Sequence, residues 1–352
     1  MTRTKNTDLI NEIKTISKKE IENPQALDPK ILIPSGSTML NLACSDCSNG
    51  AFVPGTMVNL IGDKSAGKTM LYHTMLAEVA RRKRFSDYRL IHRDIEAGVV
   101  WDVESLFGSK MAKRMENDVK IETIEDFKKD IKECLAEGRP FIYGLDSYDS
   151  LSSEEEEKKK AEKETGYSGA KKTKEFGALL RGIVRELKKT GSLLVVISQV
   201  RENLDAGLYG QRFYRTGGKS LGHHCSHEVW LFKGMKLKRE VQKRKRAVGI
   251  VSMPCVKKNR LTGKERKTEF PIYYDYGIDD ISSMVNFLIQ EGFWKKKGSL
   301  YTSSLLGIKG SKTEIIDQIE KENLEKALRK ETGLAWKEIE DSMKLNRKKR
   351  FQ

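Results

Sequence analysis

One short segment carries the strongest chemical signal in this 352-residue chain. The segment GDKSAGKT, residues 62–69, fits the pattern GxxxxGK[ST]. The apolar run TMVNLI precedes it, and a stretch with apolar residues three and four apart follows, which predicts a strand, a loop and a helix. Glycines let backbone N–H groups turn towards a phosphate, and the amino terminus of a helix stabilises negative charge. The segment therefore predicts a nucleoside-triphosphate site.

Each residue of this segment is expected to contact ATP or its metal ion. The residues are Gly62, Asp63, Lys64, Ser65, Ala66, Gly67, Lys68 and Thr69. Lys68 is expected to reach the β- and γ-phosphates, and the hydroxyl of Thr69 to bind Mg²⁺. Asp146 ends the apolar run FIYGLD, where an aspartate can hold Mg²⁺ through water. Many buried strands end in aspartate, so it is the phosphate loop upstream that favours the metal role.

Two other expected strands end on residues suited to hydrolysis. Glu96 ends the segment HRDIE, where a carboxylate can orient and polarise the attacking water. An ordinary loop acid is the alternative interpretation of Glu96. Gln199 closes the segment LLVVISQ, and its neutral amide could donate a hydrogen bond to a γ-phosphate and report its presence to the next loop.

Positive charge dominates the composition. Lysine and arginine number 66 against 50 acidic residues, which gives a net charge of +16. Such an excess indicates a polyanionic partner, either nucleic acid or an anionic membrane surface. No window approaches the ~18 apolar residues of a membrane span, and the amino terminus lacks the apolar run of a secretory signal. The five cysteines are odd in number and sparse, which suits a reducing cytosol. We therefore expect a cytoplasmic protein with a nucleic-acid partner; a basic protein without one is the alternative.

The order of apolar and amphipathic segments predicts an α/β domain over residues 33–276, built on a largely parallel sheet. The clearest expected strands are residues 56–61, 89–94, 141–145 and 192–198. The clearest expected helices are residues 69–82, 124–137 and 174–189. Residues 1–32 predict a short helix on a tether, residues 277–341 a small second domain, and residues 342–352 a basic tail.

The order of these segments resembles the RecA recombinases over residues 5–335. SGSTMLNLA and PGTMVNLIGDKSAGKT are similar to the entry into that family's core, DIE to its catalytic acidic motif, and GLDSYDSL to its Walker B segment. ISQVRENL followed by RTGGKSL resembles the strand, second DNA-binding loop and glycine pair that most distinguish the family. The resemblance implies a RecA-type P-loop ATPase core with a mainly parallel central sheet. It also implies an N-terminal polymerisation helix and a small α+β C-terminal domain that gathers duplex DNA.

The resemblance implies roles for individual residues. Glu96 becomes the catalytic glutamate and Gln199 the sensor of the γ-phosphate. Lys258 and Arg260, in the segment VKKNR, match a lysine pair that reaches the ATP of a neighbouring subunit. An arginine keeps the charge and can hold phosphate through two bonds; a solvated basic strand is the alternative. The positions that match DNA contacts are Lys174, Arg181, Arg201, Leu204, Gly217 and Gly218, with Leu204 matching an aliphatic wedge between base triplets.

The function expected from this resemblance is ATP-dependent strand exchange, with ATP and Mg²⁺ as cofactors. Its partners would be single-stranded DNA, double-stranded DNA and further copies of the chain in a helical filament. A ring helicase with the same core is one alternative, and the glycine pair after Gln199 favours the recombinase. A DNA-binding accessory protein without turnover is another. Intact Lys68, Thr69, Glu96 and Asp146 argue against that.

Several segments depart from the family or carry a weaker signal. The first DNA-binding loop is expected within residues 153–172, but its sequence is different and includes the charged run 154–163. The run Lys233 to Arg246 has eight basic residues and one acid and matches nothing close in the family. The tail is basic where well-known members have an acidic one. Cys44 and Cys47 are spaced like half a zinc site, but no second such pair exists, so we expect no metal there.

Overall fold

The computed structural model describes residues 28–153, 169–202, 213–215 and 218–348, and the structural statements below concern those residues. The strands are β1 Thr56–Gly62, β2 Arg89–Asp94, β3 Met115–Glu116, β4 Phe141–Asp146, β5 Leu193–Glu202, β6 Phe213–Arg215, β7 His227–Val241, β8 Arg244–Asn259, β9 Arg266–Lys267, β10 Phe270–Tyr273, β11 Gly277–Ile278, β12 Lys295–Lys297, β13 Leu300–Ser303 and β14 Ile308–Gly310. The α-helices are α1 Thr38–Ser45, α2 Lys68–Arg81, α3 Val103–Phe107, α4 Ser109–Ala112, α5 Ile124–Ala136, α6 Gly169–Thr190, α7 Gly218–His224, α8 Asp280–Gln290, α9 Lys312–Lys321 and α10 Glu325–Ser342. The expected N-terminal helix falls in residues 1–27, outside the described residues.

A large, mainly parallel sheet forms the centre of the molecule. Its strand order is β11-β10-β8-β7-β1-β5-β4-β2-β3, with β6 paired to β5 and β9 to β8. The strands from β7 to β3 run parallel, whereas β8, β10 and β11 add antiparallel strands at one edge. Strands buried on both faces favour continuous apolar runs such as LLVVI in β5, which is why they could be identified from the sequence. The predicted α/β fold is confirmed.

Helices cover both faces of this sheet. On one face α1, α2, α8, α9 and α10 contribute to a cluster of buried apolar side chains that includes Leu40, Leu71 and Trp336. On the other face α5, α6 and α7 contribute Phe127, Leu180 and others to a second cluster. Among the described helices, none is long and apolar enough to cross a membrane.

The carboxyl ends of the parallel strands meet at one edge of the sheet. Gly62 at the end of β1 is paired in register with Gln199 on β5, and Asp94 at the end of β2 with Asp146 at the end of β4. Glu96 follows β2 by two residues. In open α/β sheets ligands bind at this edge. The topology therefore brings the residues expected to act on ATP to one place.

The basic run 233–246 forms most of an exposed two-stranded ribbon. Strands β7 and β8 continue past Leu231, the partner of Gly62, to a tip where Val241 is paired with Arg244. The two tip residues, Gln242 and Lys243, have φ angles of 53° and 58°, as a two-residue hairpin turn requires. The exposed basic side chains are Lys233, Lys236, Lys238, Arg239, Lys243, Arg244, Lys245 and Arg246. This segment, whose role could not be inferred from its sequence, is thus a positively charged arm.

The C-terminal part packs against the start of the core. The carboxylate of Asp280 accepts hydrogen bonds from both the backbone N–H and the hydroxyl of Thr38, each at 2.6 Å. Arg266 holds Glu340 through two bonds of 2.6 and 2.8 Å. Residues 277–341, expected as a small α+β domain, contain α8, α9 and α10 and the three-stranded sheet β12–β14. The division of the chain at residue 277 stays a prediction, because β11 at this point still belongs to the large sheet.

Candidate nucleotide-binding site

The phosphate loop connects β1 to α2 and is shaped by two glycines. Gly67 has a φ angle of 94°, and a Cβ atom there would lie 2.4 Å from Cδ1 of Ile272. A Cβ atom on Gly62 would lie 2.4 Å from the carbonyl oxygen of Leu231. A hydrogen bond of 2.8 Å from the hydroxyl of Ser252 to the Ala66 carbonyl braces the loop from β8. Only glycine fits these two positions, so the motif is a packing requirement as well as a chemical one.

Lys68 begins α2 and folds back over the loop. Its Nζ atom donates to the carbonyl oxygens of Gly62, at 2.7 Å, and Asp63, at 2.8 Å. The side chain is buried, and this burial lowers the pKa of Lys68, against the opposing effect of the Asp146 and Asp63 charges. A cation held by neutral carbonyls at the mouth of the loop can exchange them for phosphate oxygens, which bind it more strongly.

Thr69 and Asp146 meet in a way that suits a magnesium ion. The Thr69 hydroxyl donates to Oδ2 of Asp146 at 2.5 Å, and Ser147 donates to Oδ1 at 2.9 Å. Burial would raise the pKa of Asp146, but the nearby His92 and the hydrogen bonds from Thr69 and Ser147 keep it below its ordinary value. Because the Thr69 hydroxyl donates its hydrogen bond to the aspartate, the lone pairs of its oxygen remain available to a cation. Hydroxyl, carboxylate and water oxygens are the ligands that Mg²⁺ prefers, so these residues fit the ion.

Glu96 and Gln199, predicted separately, touch each other. The Gln199 side-chain amide donates to Oε1 of Glu96 at 2.9 Å, and the hydroxyl of Ser150 donates to the same oxygen at 2.7 Å. The backbone N–H of Gln199 donates to Asp149 at 2.5 Å. Sequence reasoning missed Ser150 and Asp149. Their position just after Asp146, in SYDS, was the available signal.

Lys258 and Arg260 are not near the phosphate loop of their own chain. Lys258 lies opposite Glu228 on β7, which is level with Asn59 of β1. Asn59 precedes Gly62 by three residues of β1, which is about 10 Å along the strand. Lys258 is also two strands away from β1, because β7 lies between β8 and β1. The side chains of Lys258 and Arg260 donate instead to carbonyls at the end of α7.

The positions matched to DNA contacts are only partly described. Lys174 and Arg181 are exposed on α6, and Gly218 begins α7. Of Arg201 only the backbone, in β5, is described. Leu204 and Gly217 lie outside the described residues, as does most of the expected first DNA-binding loop.

Arg181, which matches a DNA contact, and the pair Lys258 and Arg260, which match a role at ATP, influence the same histidine. Partial burial and then the positive charges of Arg181 and Arg260 lower the pKa of His224, with a further contribution from Lys258. The charges of Arg181, Arg260 and Lys258 therefore all act on one histidine, which the sequence did not indicate.

Comparison with known proteins supports a RecA-like chain. No family model matches it. The chain is 26% identical to protein RecA of a Thermus thermophilus strain over 77% of its own length and 75% of that protein. It is 26% identical to protein RecA of Thermus aquaticus over 86% of both, and 23% identical to that of Aquifex aeolicus (strain VF5) over 94% of this chain and 90% of that protein. The chain is RecA-like in sequence, and its fold is that of a RecA-type core.

Proposed function

We propose that this chain is a DNA-dependent ATPase that forms filaments on single-stranded DNA and exchanges strands with a homologous duplex. The observation that supports this most is the contact of Glu96 with Gln199 at the sheet edge that also carries Lys68 and Asp146. A catalytic acid that touches a phosphate sensor is suited to coupling hydrolysis to a change elsewhere in the molecule. The RecA-like order of motifs along the chain extends this from an ATPase to a recombinase.

In the proposed reaction the chain's own residues bind and orient ATP. Lys68 exchanges the Gly62 and Asp63 carbonyls for β- and γ-phosphate oxygens. Thr69, and Asp146 through water, would hold Mg²⁺, which would supply further positive charge to the phosphates. Glu96 orients the attacking water and accepts its proton. The Gln199 amide exchanges its bond with Glu96 for one with the γ-phosphate. The resulting change in the position of Gln199 is transmitted through β5 to the DNA-contacting segment that follows it.

Lys258 and Arg260 act, in this proposal, on the ATP of a neighbouring subunit. Their support comes from their place in the sheet, too far along it from their own phosphate loop to contribute there. A shared site makes hydrolysis depend on assembly, and assembly on DNA. Arg181, whose charge acts on the same histidine as theirs, would then lie near the junction between subunits.

The ribbon of β7 and β8 is assigned a contact with DNA phosphates. Its eight basic side chains are exposed, and Glu240 is the only acid within residues 233–246. Clustered lysine and arginine side chains on one extended arm are the usual electrostatic feature of nucleic-acid binding. The ribbon continues from β7, the strand that lies beside β1, so DNA bound there would be connected to the ATP site through one strand.

A strand-exchange assay tests the proposal against its two alternatives. The protein is incubated with a single-stranded circle, a homologous linear duplex, ATP and Mg²⁺, and joint molecules are followed with time. Homology-dependent products support the recombinase. Homology-independent unwinding of a forked duplex would indicate the ring helicase. DNA binding without phosphate release would indicate an accessory protein.

A further inference from the structure

Two buried histidines connect the segment after Glu96 to Asp146. Trp101 donates its indole N–H to Nδ1 of His73 at 3.1 Å, and Nε2 of His73 lies 3.1 Å from Nδ1 of His92. Nε2 of His92 lies 3.9 Å from Oδ2 of Asp146, and no hydrogen-bond partner for it exists among the described residues. The two rings are 0% and 2% exposed, so solvent does not supply the missing partner.

The proton positions along this series are fixed from one end. The indole nitrogen of tryptophan can only donate, so Nδ1 of His73 must accept. A neutral imidazole has one N–H, which His73 must therefore carry on Nε2 and donate to Nδ1 of His92. His92 is then left with its own N–H on Nε2, facing the Asp146 carboxylate. The opposite arrangement would leave His73 with no proton at all.

Burial supports the neutral form of the first ring. Removal from water, followed by the neighbouring His92, lowers the pKa of His73 to about 3. His73 is therefore uncharged at neutral pH, and the position of its single ring proton determines which nitrogen donates to His92.

We propose that Trp101, His73 and His92 form a one-way hydrogen-bond series that positions Asp146 for the Mg²⁺-bound nucleotide. The inference rests on the proposed ATP site. A movement of about 1 Å by Asp146 would bring its Oδ2 atom within hydrogen-bond distance of His92. The N–H of His92 then shares Oδ2 with the Thr69 hydroxyl, while Ser147 holds Oδ1. Because Trp101 lies five residues after Glu96, a shift of that segment reaches Asp146 through the two rings.

Nitrogen NMR of the histidines tests the proton positions directly. The full chain is labelled with ¹⁵N at its five histidines, and long-range spectra identify which ring nitrogen carries the proton. We expect Nε2–H for both His73 and His92, and a mixture of tautomers for both in Trp101→Phe, which keeps the aromatic packing but loses the donor. His223, which lies outside the series, should be unchanged. An Nδ1–H tautomer of His92 in the unmodified protein would overturn the proposal.

The Mg²⁺ dependence of nucleotide binding tests the consequence. A non-hydrolysable ATP analogue is titrated at a series of Mg²⁺ concentrations. His73→Leu and Trp101→Phe should need about three- to tenfold more Mg²⁺ for half-maximal binding, the worth of one hydrogen bond. Binding at saturating Mg²⁺ should be unchanged. His73→Gln, whose amide can accept from Trp101 and donate to His92, should restore the normal requirement.

The unmodified protein separates this inference from the proposed function. If it binds no nucleotide, the proposed function and the positioning role fail together. If it binds normally but His73→Leu and Trp101→Phe keep its Mg²⁺ requirement, only the positioning role is wrong. A loss of binding at every Mg²⁺ concentration in both, with His73→Gln no better, would show that the rings serve packing alone.

Discussion

The carboxylate of Glu96 is held by two neutral donors at one oxygen. Gln199 and Ser150 both bond to Oε1, which fixes the direction of the carboxylate without supplying a positive charge to neutralise it. Glu96 itself is exposed at the sheet edge, where water can reach it. An oriented and accessible carboxylate is what a general base needs. The Gln199 amide can donate either to Glu96 or to a γ-phosphate. Binding of a γ-phosphate there would remove one of the two hydrogen bonds that orient Glu96.

Replacing Glu96 by glutamine should separate binding from hydrolysis. Glu96→Gln keeps the size of the side chain but cannot accept a proton from water, so turnover should fall by about 10²–10⁴-fold. Binding of ATP and DNA should persist, because Lys68, which is proposed to hold the phosphates, is unchanged. The measurement is steady-state phosphate release with and without single-stranded DNA.

Ser150→Ala is the matched control for this prediction. It removes one of the two bonds to Glu96 and leaves the carboxylate, so turnover should fall by only a few-fold, in keeping with one neutral hydrogen bond. If Glu96→Gln turns over at the normal rate, Glu96 is an ordinary loop acid and the base must be sought elsewhere.

Motif residues could be predicted from the sequence, whereas their supporting partners could not. Lys68, Thr69 and Asp146 stand in local patterns whose chemistry depends on neighbours in the chain. Ser150 acts on Glu96 only because β2 and β4 run side by side in register. His73 and His92 meet because α2 packs on β2, and a lone histidine in an apolar stretch gives no sign of this. Such contacts are products of the sheet topology.

At the scale of elements, the β7–β8 ribbon shows why strand patterns can fail. A half-buried strand alternates apolar and polar residues, but the outer ribbon has charges on both faces and little apolar surface to cover. Register shifts at Lys233/Lys236 and Leu237/Lys238 break the alternation further. Its turn uses Gln242 and Lys243, not the Asn-Gly pair that signals a hairpin. The buried strands, by contrast, were found because their environment demands continuous apolar residues.

Neutralising the ribbon should weaken DNA binding in a salt-dependent way. In a triple variant, Lys236, Lys238 and Lys245 are each changed to glutamine. Each phosphate of single-stranded DNA that is no longer neutralised flattens the slope of log K against log salt by about 0.7, so removing three cations should flatten it by about 2. Fluorescence anisotropy with one labelled oligonucleotide over a range of salt concentrations gives both slopes.

The control for the ribbon removes the same charge from the opposite edge of the sheet. Lys83, Lys110 and Lys113 are exposed near β2 and β3, and their change to glutamine alters net charge equally. If both triple variants flatten the slope alike, only overall charge matters and the ribbon is not a contact surface.

At the scale of the whole molecule, an ion cluster ties the C-terminal part to the core. Glu340 on α10 is bonded by Arg266 through both oxygens and by Lys264 at 2.8 Å. Hydrogen bonding from Arg266 lowers the pKa of Glu340 from 4.5 to about 2. Its side chain is only 10% exposed, so solvent screens the cluster weakly.

The pH dependence of stability should reveal this cluster. Glu340 is ionised in both the folded and the unfolded chain above pH 4.5, and its contribution is then complete. Between pH 4.5 and about 2 only the unfolded chain takes up the proton, so the contribution is progressively lost. Glu340→Gln should cost about 1–3 kcal/mol of unfolding free energy at pH 7, and less as the pH falls. Urea unfolding across this range measures it. The exposed Glu338→Gln on the same helix should cost little, and an equal cost for both would contradict the prediction.

Mixing two inactive variants tests whether the ATP site is shared between subunits. Lys68→Ala lacks the half proposed to hold phosphate, and Lys258→Ala lacks the half proposed to act from a neighbour, so each alone should hydrolyse little. In an equal head-to-tail mixture about a quarter of junctions would combine two intact halves, and DNA-stimulated phosphate release should recover to that fraction at most. A mixture of Lys68→Ala with Glu96→Gln should not recover, because both changes affect the same half. Co-assembly is confirmed by cross-linking differently labelled variants. A mixture of Lys68→Ala and Lys258→Ala that co-assembles and stays inactive at every ratio would place Lys258 outside any shared site, and the proposed dependence of hydrolysis on assembly would lose its structural basis.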